Sequence, residues 1–361
     1  MQIDWSIAFA SLIVGFTVGL TGMGGGALMT PILLIVFGVT PTAAVSSDLI
    51  AAMVMKPVGG GVHIRRKTVR WELVKWLCVG SIPTAFAGVF LLHASGDSEV
   101  VENTTRTFLG MTLILAAAAM VFRAWLQARR SAQARAGRRV TLGPGGSIHV
   151  KIPITLLIGA VGGLLVGLTS VGSGSIVIVC LMLTYPTLRG AQLVGTDLVQ
   201  AVPLVTSAAL AHILVGNFEL GLTTSILIGA VPAVYVGARL SSKAPEGVIR
   251  PAILLVLLAS ALKLLDVPTN VVAVVLLAVA LVGLPVWGAV DAAAHPQSMW
   301  DRAGLSRRGW IRWQAFGAPM GIGFAVAAAY FAKARPQLRP ATVSTDEDPV
   351  LPSVDDAPGD S

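Results

Sequence analysis

The chain has 361 residues, of which 55% are hydrophobic and 12% are charged, about half the roughly 25% charged share of a soluble domain. This composition excludes a soluble enzyme, a disordered chain and a secreted disulfide scaffold, and it predicts an all-α polytopic membrane protein. The two cysteines, Cys78 and Cys180, lie in apolar stretches and are interpreted as core residues. No disulfide, metal site or cofactor is therefore expected.

The net charge of +8 is unevenly distributed along the chain. Residues 1–340 contain all 26 basic residues and 12 of the 18 acidic ones, a net charge of +14, whereas the last sixteen residues carry only acidic charge. A basic balance can indicate nucleic-acid binding, but in a membrane protein it follows from basic cytoplasmic loops. No nucleic-acid partner is expected, and the lipid bilayer is.

The first predicted helix, Trp5 to Thr21, ends in the glycine cluster Gly22-Met23-Gly24-Gly25-Gly26. The apolar piece at 27–37 that follows would rise about 16 Å, roughly half of a hydrocarbon core of about 30 Å. Together with three full spans it is assigned to a first repeat, 1–122, and an arginine-rich cytoplasmic linker is assigned to 123–151. The three full spans are predicted at 43–62, 73–92 and 107–122.

A second repeat is assigned to 152–266, and it begins with a span at 152–170 that is broken at Gly172-Ser173-Gly174-Ser175. A short piece to Leu183 follows the break. Full spans are then predicted at 193–215, 223–240 and 250–265. The segment 267–332 is predicted to add spans at 271–288 and 315–332, and the Pro- and Asp-rich residues 333–361 are predicted to be a disordered tail.

Loop charges predict the sidedness of the spans. The 63–72 loop and the 123–151 linker are basic and are expected on the cytoplasmic side, whereas the 93–106 loop is acidic and is expected outside. These assignments alternate correctly across the two intervening spans.

The two halves match each other at an offset of 148–149 residues. The matched residues include Gly15 and Gly163, Gly19 and Gly167, Asp48 and Asp197, His63 and His212, Gly80 and Gly229, and Pro83 and Pro232. Because an aspartate, a histidine and a proline all match at this offset, the sequence predicts a duplication. The loop after His63 is basic, but the matched loop after His212 has no lysine or arginine. This reversal of charge predicts inverted repeats, as in many secondary transporters.

The glycine clusters are the candidate substrate site. Unwound backbone at membrane depth is tolerated only where protein buries it or where it lines a cavity. It leaves free N–H groups at the positive end of a helix dipole, which suit an anion. The alternative is that these glycines only permit close helix packing. The predicted substrate-binding residues of the two clusters are Gly22, Gly24, Gly25, Gly26, Gly172, Ser173, Gly174 and Ser175.

Five ionisable residues complete the candidate site. Lys56 either attracts the substrate anion or extends to the cytoplasmic surface. Asp48 and Asp197 either cap their helices or act in proton coupling or gating. His63 and His212 lie at matched span ends, either as proton carriers or as partners of terminal carbonyl groups.

At this point the motifs resemble those of the TauE/SafE sulfite exporter family. The resemblance lies in the first break with Pro31 and its short helix, and in the segment from Ala44 to Leu49. The second break and the segment from Leu193 to Leu198 are similar. The resemblance covers residues 5–265. It implies a multi-pass transporter of the bacterial cytoplasmic (inner) membrane, with sulfite, sulfonates or related organosulfur anions bound between the two breaks.

The sequence therefore predicts a secondary transporter that exports a small anion. It predicts no enzyme and no catalytic residue, and it has no Walker-type phosphate loop. A passive anion channel is one alternative. An intramembrane hydrolase using the serines of the second break with His212 is another, although the matching first-half segment has no serine. The sequence leaves a homodimer open.

Overall fold

The computed structural model describes residues 3–21, 25–94, 96–135, 150–216, 218–240, 246–294, 297–317, 323–334 and 337–338. Regular secondary structure in these residues is helical, and one isolated bridge joins Gly172 to Gly174. Six helices in the described ranges are long and apolar enough to cross a membrane. The prediction of an all-α polytopic membrane protein is thus confirmed.

The helices of the first half follow the predicted order. They are α1 (Trp5–Thr21), α2 (Gly26–Ile35), α3 (Pro41–Arg65), α4 (Trp71–His93) and α5 (Ser98–Arg135). Pro41 starts α3 because a first helical position needs no N–H donor. Helix α5 continues past the end predicted at residue 122, into the arginine-rich segment, because the alanine, arginine and glutamine residues there favour helix.

The second half repeats this order. Its helices are α6 (Ile152–Thr169), α7 (Ile176–Thr184), α8 (Gly190–Leu214), α9 (Leu220–Leu240) and α10 (Glu246–Leu264). The short helices α2 and α7 have 10 and 9 residues, about half of what a bilayer requires. A half-length helix thus follows the break in each half.

The first helix of each half packs against the fourth helix of the other half. A Cβ on Gly15 of α1 would lie 2.8 Å from the Cα of Ala230 in α9, and a Cβ on Gly163 of α6 would lie 2.6 Å from the Cα of Ser81 in α4. Gly15 matches Gly163 at an offset of 148 residues, and Ser81 matches Ala230 at an offset of 149. The same glycine-mediated contact is therefore made twice, once by each half.

Helices α3 and α8 pack along each other at the centre. Near the start of α8, Thr196 Oγ1 accepts a hydrogen bond of 3.1 Å from the backbone N–H of Arg70, just beyond the end of α3. Near the start of α3, Ser47 Oγ accepts one of 3.1 Å from Thr223 in α9, just beyond the end of α8. These equivalent helices thus lie side by side in opposite directions, and the inversion of the halves across a membrane stays a prediction.

An additional segment follows α10. It contains α11 (Thr269–Ala278), a π-helical turn (Val279–Gly283), α12 (Leu284–Ala294), α13 (Gln297–Arg302), α14 (Arg307–Gly317), α15 (Gly323–Ala329) and a second π-helical turn (Tyr330–Ala334). Residues Thr269–Ala293 form one apolar stretch long enough to span.

The span predicted at 315–332 is not one continuous described helix. Helix α14 ends at Gly317, α15 begins at Gly323, and residues 318–322 lie outside the described residues. The predicted stretch is apolar, but it contains Pro319 and several glycines, which disfavour a helix interior. Lys333, assigned from the sequence to the tail, belongs to the second π-helical turn. Residues 339–361 lie outside the described residues.

The close helix contacts predict an effect on stability. Gly229→Ala is expected to destabilise the protein by about 1–3 kcal/mol through overpacking, because a Cβ at Gly229 would overlap the carbonyl oxygen of Ala8. Gly61→Ala is the control, since its Cβ would meet no atom within 4 Å. Thermal unfolding in detergent should show a lower Tm for the first variant only. Equal Tm values would contradict the contact.

Candidate functional site

The two glycine breaks meet in the interior of the protein. A Cβ on Gly26, at the start of α2, would overlap the carbonyl group of Ser170, at the start of the second break. Gly25 is also buried, and its Cβ would lie 3.3 Å from Asp48 Oδ1. Two further predicted site residues, Gly22 and Gly24, lie outside the described residues. The described parts of both breaks are thus brought together.

The second break has a backbone that requires glycine. Gly172 has φ +132° and Gly174 has φ +90°, and Ser170 before them adopts the left-handed conformation with φ 59°. Helix α7 then begins at Ile176, directly after the second break. The first N–H groups of a helix have no acceptor within it, and they stand at the positive end of its dipole. The N-terminal ends of α2 and α7 thus directly follow the two breaks, and the N–H groups of Ile176 and Val177 donate to the carbonyl oxygen of Gly172.

Asp48 connects the two breaks. Its side chain is 0% exposed, and Oδ2 accepts hydrogen bonds from Ser170 Oγ at 2.5 Å and from Thr30 Oγ1 at 3.2 Å. Oδ1 has no hydrogen-bond partner among the described residues. Since α3 begins at Pro41, Asp48 lies about two turns inside and does not cap its own helix. The carboxylate instead holds α2 against the second break.

Asp197 occupies the equivalent position in α8 and is 1% exposed. The backbone amide of Gly174 lies within hydrogen-bonding reach of its carboxylate, and the charges of Lys56 and Arg123 face it. Asp197 Oδ1, like that of Asp48, has no partner in the described part of the chain. Each half thus contributes one buried carboxylate with one oxygen left without a donor.

Lys56 lies between the two carboxylates. The residue is 7% exposed, its Nζ donates a hydrogen bond of 2.7 Å to Ser173 Oγ, and its charge faces Asp197 and Asp48. The side chain therefore turns into the protein and not toward the cytoplasmic surface. Its matched residue is Val205, so this cation belongs to the first half only.

The site offers hydroxyl donors and two helix N-termini beside one ammonium group and two carboxylates. The site has two carboxylates and one ammonium group, with Arg123 at its edge. The carboxylates repel an anion, so binding of an anion is unfavourable unless a proton accompanies it. The space between Gly25, Lys56 and Ser173 is too narrow for a water molecule. In this conformation these residues therefore leave no room for a ligand between them.

The predicted histidines make their contacts elsewhere. His63 Nδ1 is 2.9 Å from Thr68 Oγ1, at the end of α3. His212 is fully buried with Nε2 3.0 Å from the carbonyl oxygen of Gly167, and its ring centroid lies 6.3 Å from that of His93. Ser173 is paired with Lys56, so the described contacts do not form a serine–histidine pair with His212.

Three residues of the site were missed by the sequence reasoning: Thr30, Ser170 and Arg123. Arg123 was counted in the linker, but its Nη1 donates a hydrogen bond of 3.5 Å to the carbonyl oxygen of Gly174. For the other two, the sequence signals are only their positions: Thr30 directly precedes Pro31, and Ser170 lies two residues before Gly172. Ser175, which was predicted, lies half-buried before α7.

Comparison with known proteins identifies relatives. A family model described as Sulfite exporter TauE/SafE matches residues 7–264. The probable membrane transporter protein YjnA of Bacillus subtilis is 36% identical over 261 residues, which cover 72% of this chain and 99% of the relative. The probable membrane transporter protein YdhB of the same organism is 21% identical over 249 residues, which cover 69% and 95%. No solved structure matches the chain significantly.

Proposed function

The chain belongs to the sulfite exporter TauE/SafE family of membrane transporters, and from this premise we propose that it exports a small sulfur-containing anion across the bacterial cytoplasmic membrane as a secondary transporter. Sulfite and sulfonates are the proposed substrates. The observation that carries the proposal is the contact between the start of α2, at Gly26, and Ser170, two residues before the second break, beside the buried ammonium group of Lys56.

The proposed substrate site uses three kinds of donor. The positive ends of the α2 and α7 dipoles supply partial positive charge. The hydroxyl groups of Ser170, Ser173 and Ser175 supply neutral hydrogen bonds, and Lys56 supplies a full charge. A sulfite or sulfonate group presents three oxygens to such donors, and charge-assisted bonds to it are stronger than neutral ones.

Alternating access is the proposed mechanism. The equivalent helices α3 and α8 run in opposite directions, which supports inverted repeats, and in such transporters one repeat moves against the other around a central site. The present conformation has no room for substrate between the breaks, as a closed intermediate requires. Asp48 and Asp197 are the proposed coupling residues inside the site, and His63 and His212 are proposed to act in gating at a distance from it.

A passive channel and a hydrolase are the competing functions. A channel predicts flux that does not saturate and stepwise conductance in a planar bilayer, whereas a transporter predicts saturable counterflow. Hydrolysis needs a nucleophile with a base in reach. The described contacts of His212 are with Gly167 and His93, and neither places its imidazole beside Ser173 as a base. The family consists of transporters. We therefore propose that the chain is not an enzyme.

The decisive experiment is counterflow of radiolabelled sulfite and of a taurine-type sulfonate in proteoliposomes. Gly25→Leu should lower the saturable flux at least about tenfold, because an isobutyl group there extends from a Cβ 3.3 Å from Asp48 Oδ1 into the proposed site. Gly61→Leu, whose Cβ position has no atom within 4 Å, should transport normally. Unchanged flux in a correctly folded Gly25→Leu protein would refute the site between the breaks.

A further inference from the structure

Helix α14 lies outside the residues that match the family model, and it has two chemically different faces. Its sequence is Arg-Arg-Gly-Trp-Ile-Arg-Trp-Gln-Ala-Phe-Gly. Trp310 and Ile311 pack in an apolar cluster around Trp300 and Tyr330. Trp313 and Phe316 on the other face are 67% and 71% exposed, beside the exposed Arg308 and Arg312. No described element covers this aromatic and basic surface.

Two contacts define the position of α14 along the axis of the preceding span, Thr269–Ala293. Arg307 Nη2, at the start of α14, donates a hydrogen bond of 2.5 Å to the carbonyl oxygen of Ala293, at the end of the span. Farther along α14, the side chain of Gln314 lies against Gly288. Gly288 precedes Ala293 by five residues, which is about 8 Å along a helix axis. Helix α14 therefore descends from the end of the span toward the middle of the bilayer.

The depth of Trp313 matches that of the apolar side chains of an interfacial helix, because Trp313 follows Arg307 by six residues, a rise of about 9 Å along the helix axis. Such helices place their apolar side chains about 5–10 Å below the boundary between headgroups and acyl chains. The neighbouring α12 exposes Val286 and Val290 by 53% and 56%, as expected of a helix surrounded by lipid. The exposed Trp313 and Phe316 lie on the part of α14 that is closer to the middle of the bilayer, and Arg308 lies on the part closer to water.

The contacts also predict which leaflet α14 occupies. Asp266, just before the span Thr269–Ala293, forms an ion pair of 2.5 Å with Arg106, at the end of the 93–106 loop that is expected outside. One crossing therefore places α14 on the cytoplasmic side. The arginines at 302, 307, 308 and 312 agree with the basic character of cytoplasmic segments.

We propose that the exposed face of α14 binds anionic phospholipids of the cytoplasmic leaflet. The guanidinium groups of Arg308 and Arg312, one turn apart, pair with lipid phosphates. Trp313 and Phe316, which lie farther from the water, place their apolar surfaces among the acyl chains. This surface is independent of the transport site, and it anchors the additional segment that the family model does not cover.

The acidic end of the chain is the competing occupant. Residues 346–361 carry six carboxylates and would complement the arginines, but they contain no aromatic residue and only three large aliphatic ones. A purely ionic partner of this kind leaves the exposed surfaces of Trp313 and Phe316 in water. The bilayer satisfies both the charge and the apolar surface of this face.

The test is a lipid titration of the full-length protein in detergent, with bound lipid counted by native mass spectrometry. Phosphatidylglycerol is expected to bind more tightly than phosphatidylcholine with the same acyl chains. Each arginine near an anionic surface contributes about 1 kcal/mol, so R308Q/R312Q should weaken phosphatidylglycerol binding about 30-fold. The conservative R308K/R312K variant should keep most of the preference.

A matched control separates this face from basic charge in general. R65Q/R66Q removes two exposed arginines from the end of α3, and it should leave the preference for phosphatidylglycerol within about threefold of the wild type. Equal binding of the two lipids by the wild type, or an unchanged preference in R308Q/R312Q, would overturn the proposal. A preference that appears only in a chain ending at Leu338 would also overturn it, since the acidic end would then be the occupant.

Discussion

Replacing Lys56 by methionine is expected to lower the initial rate of sulfite counterflow by at least about 100-fold. The ammonium group donates to Ser173 and faces two buried carboxylates. A 100-fold lower rate corresponds to about 2.7 kcal/mol, which lies within the roughly 1.5–3 kcal/mol of a hydrogen bond to a charged group. Methionine keeps the length of the side chain but leaves both carboxylates uncompensated where the anion must bind.

Two further variants separate loss of charge at the site from general damage. Lys75→Met removes an exposed lysine of α4 that lies over the ring of Trp76, and it should transport at the wild-type rate. Adding Asp197→Asn to Lys56→Met removes one of the two uncompensated charges and should recover part of the lost rate. Normal counterflow in the folded Lys56→Met protein would show that the anion does not use this cation.

The architecture could be predicted because its signals are local. Apolar length predicts a span, a glycine cluster predicts a break, and the short apolar pieces after the breaks became α2 and α7. The matched positions of Asp48 and Asp197 were also visible, and both lie at the same depth in helices of 25 residues. The span predicted at 315–332 stays a prediction, because residues 318–322 lie outside the described ones.

The contacts within the site could not be predicted, because they join residues distant in sequence. Lys56 and Ser173 are 117 residues apart, and Asp48 and Ser170 are 122 apart. Whether Lys56 turned inward or toward the surface depended on how α3 packs against the second break, which composition does not encode. Arg123 was assigned to the linker because a charge at the end of an apolar run indicates the end of a span, although the helix continues to Arg135.

Asp48→Asn is expected to uncouple transport from the proton gradient while leaving exchange intact. Accumulation driven by an imposed pH gradient should fall at least about tenfold, and counterflow without a gradient should stay within about threefold of the wild type. An anion entering a site with two carboxylates and one nearby ammonium group needs a proton to accompany it. Asparagine resembles the protonated carboxyl group and keeps an oxygen for the hydroxyl groups of Ser170 and Thr30.

Asp197→Asn is the matched control for this assignment. Asp197 faces both Lys56 and Arg123, whereas Asp48 has two hydroxyl donors and one lysine charge. Asp48 is therefore the carboxylate that accepts a proton with the smaller loss of favourable charge interactions. The Asp197→Asn protein should still respond to the gradient even where its rate falls, because Asp48 is still present.

The comparison of Asp48→Asn with Asp197→Asn requires a substrate that carries no proton itself. A sulfonate keeps one negative charge throughout the neutral range, whereas sulfite takes up a proton near neutrality and would carry protons itself. Gradient-driven uptake of the sulfonate therefore reports protons carried by the protein. If Asp48→Asn kept that uptake and Asp197→Asn lost it, the proton would belong to the second half. The positive charges of Lys56 and Arg123 would then not keep Asp197 deprotonated.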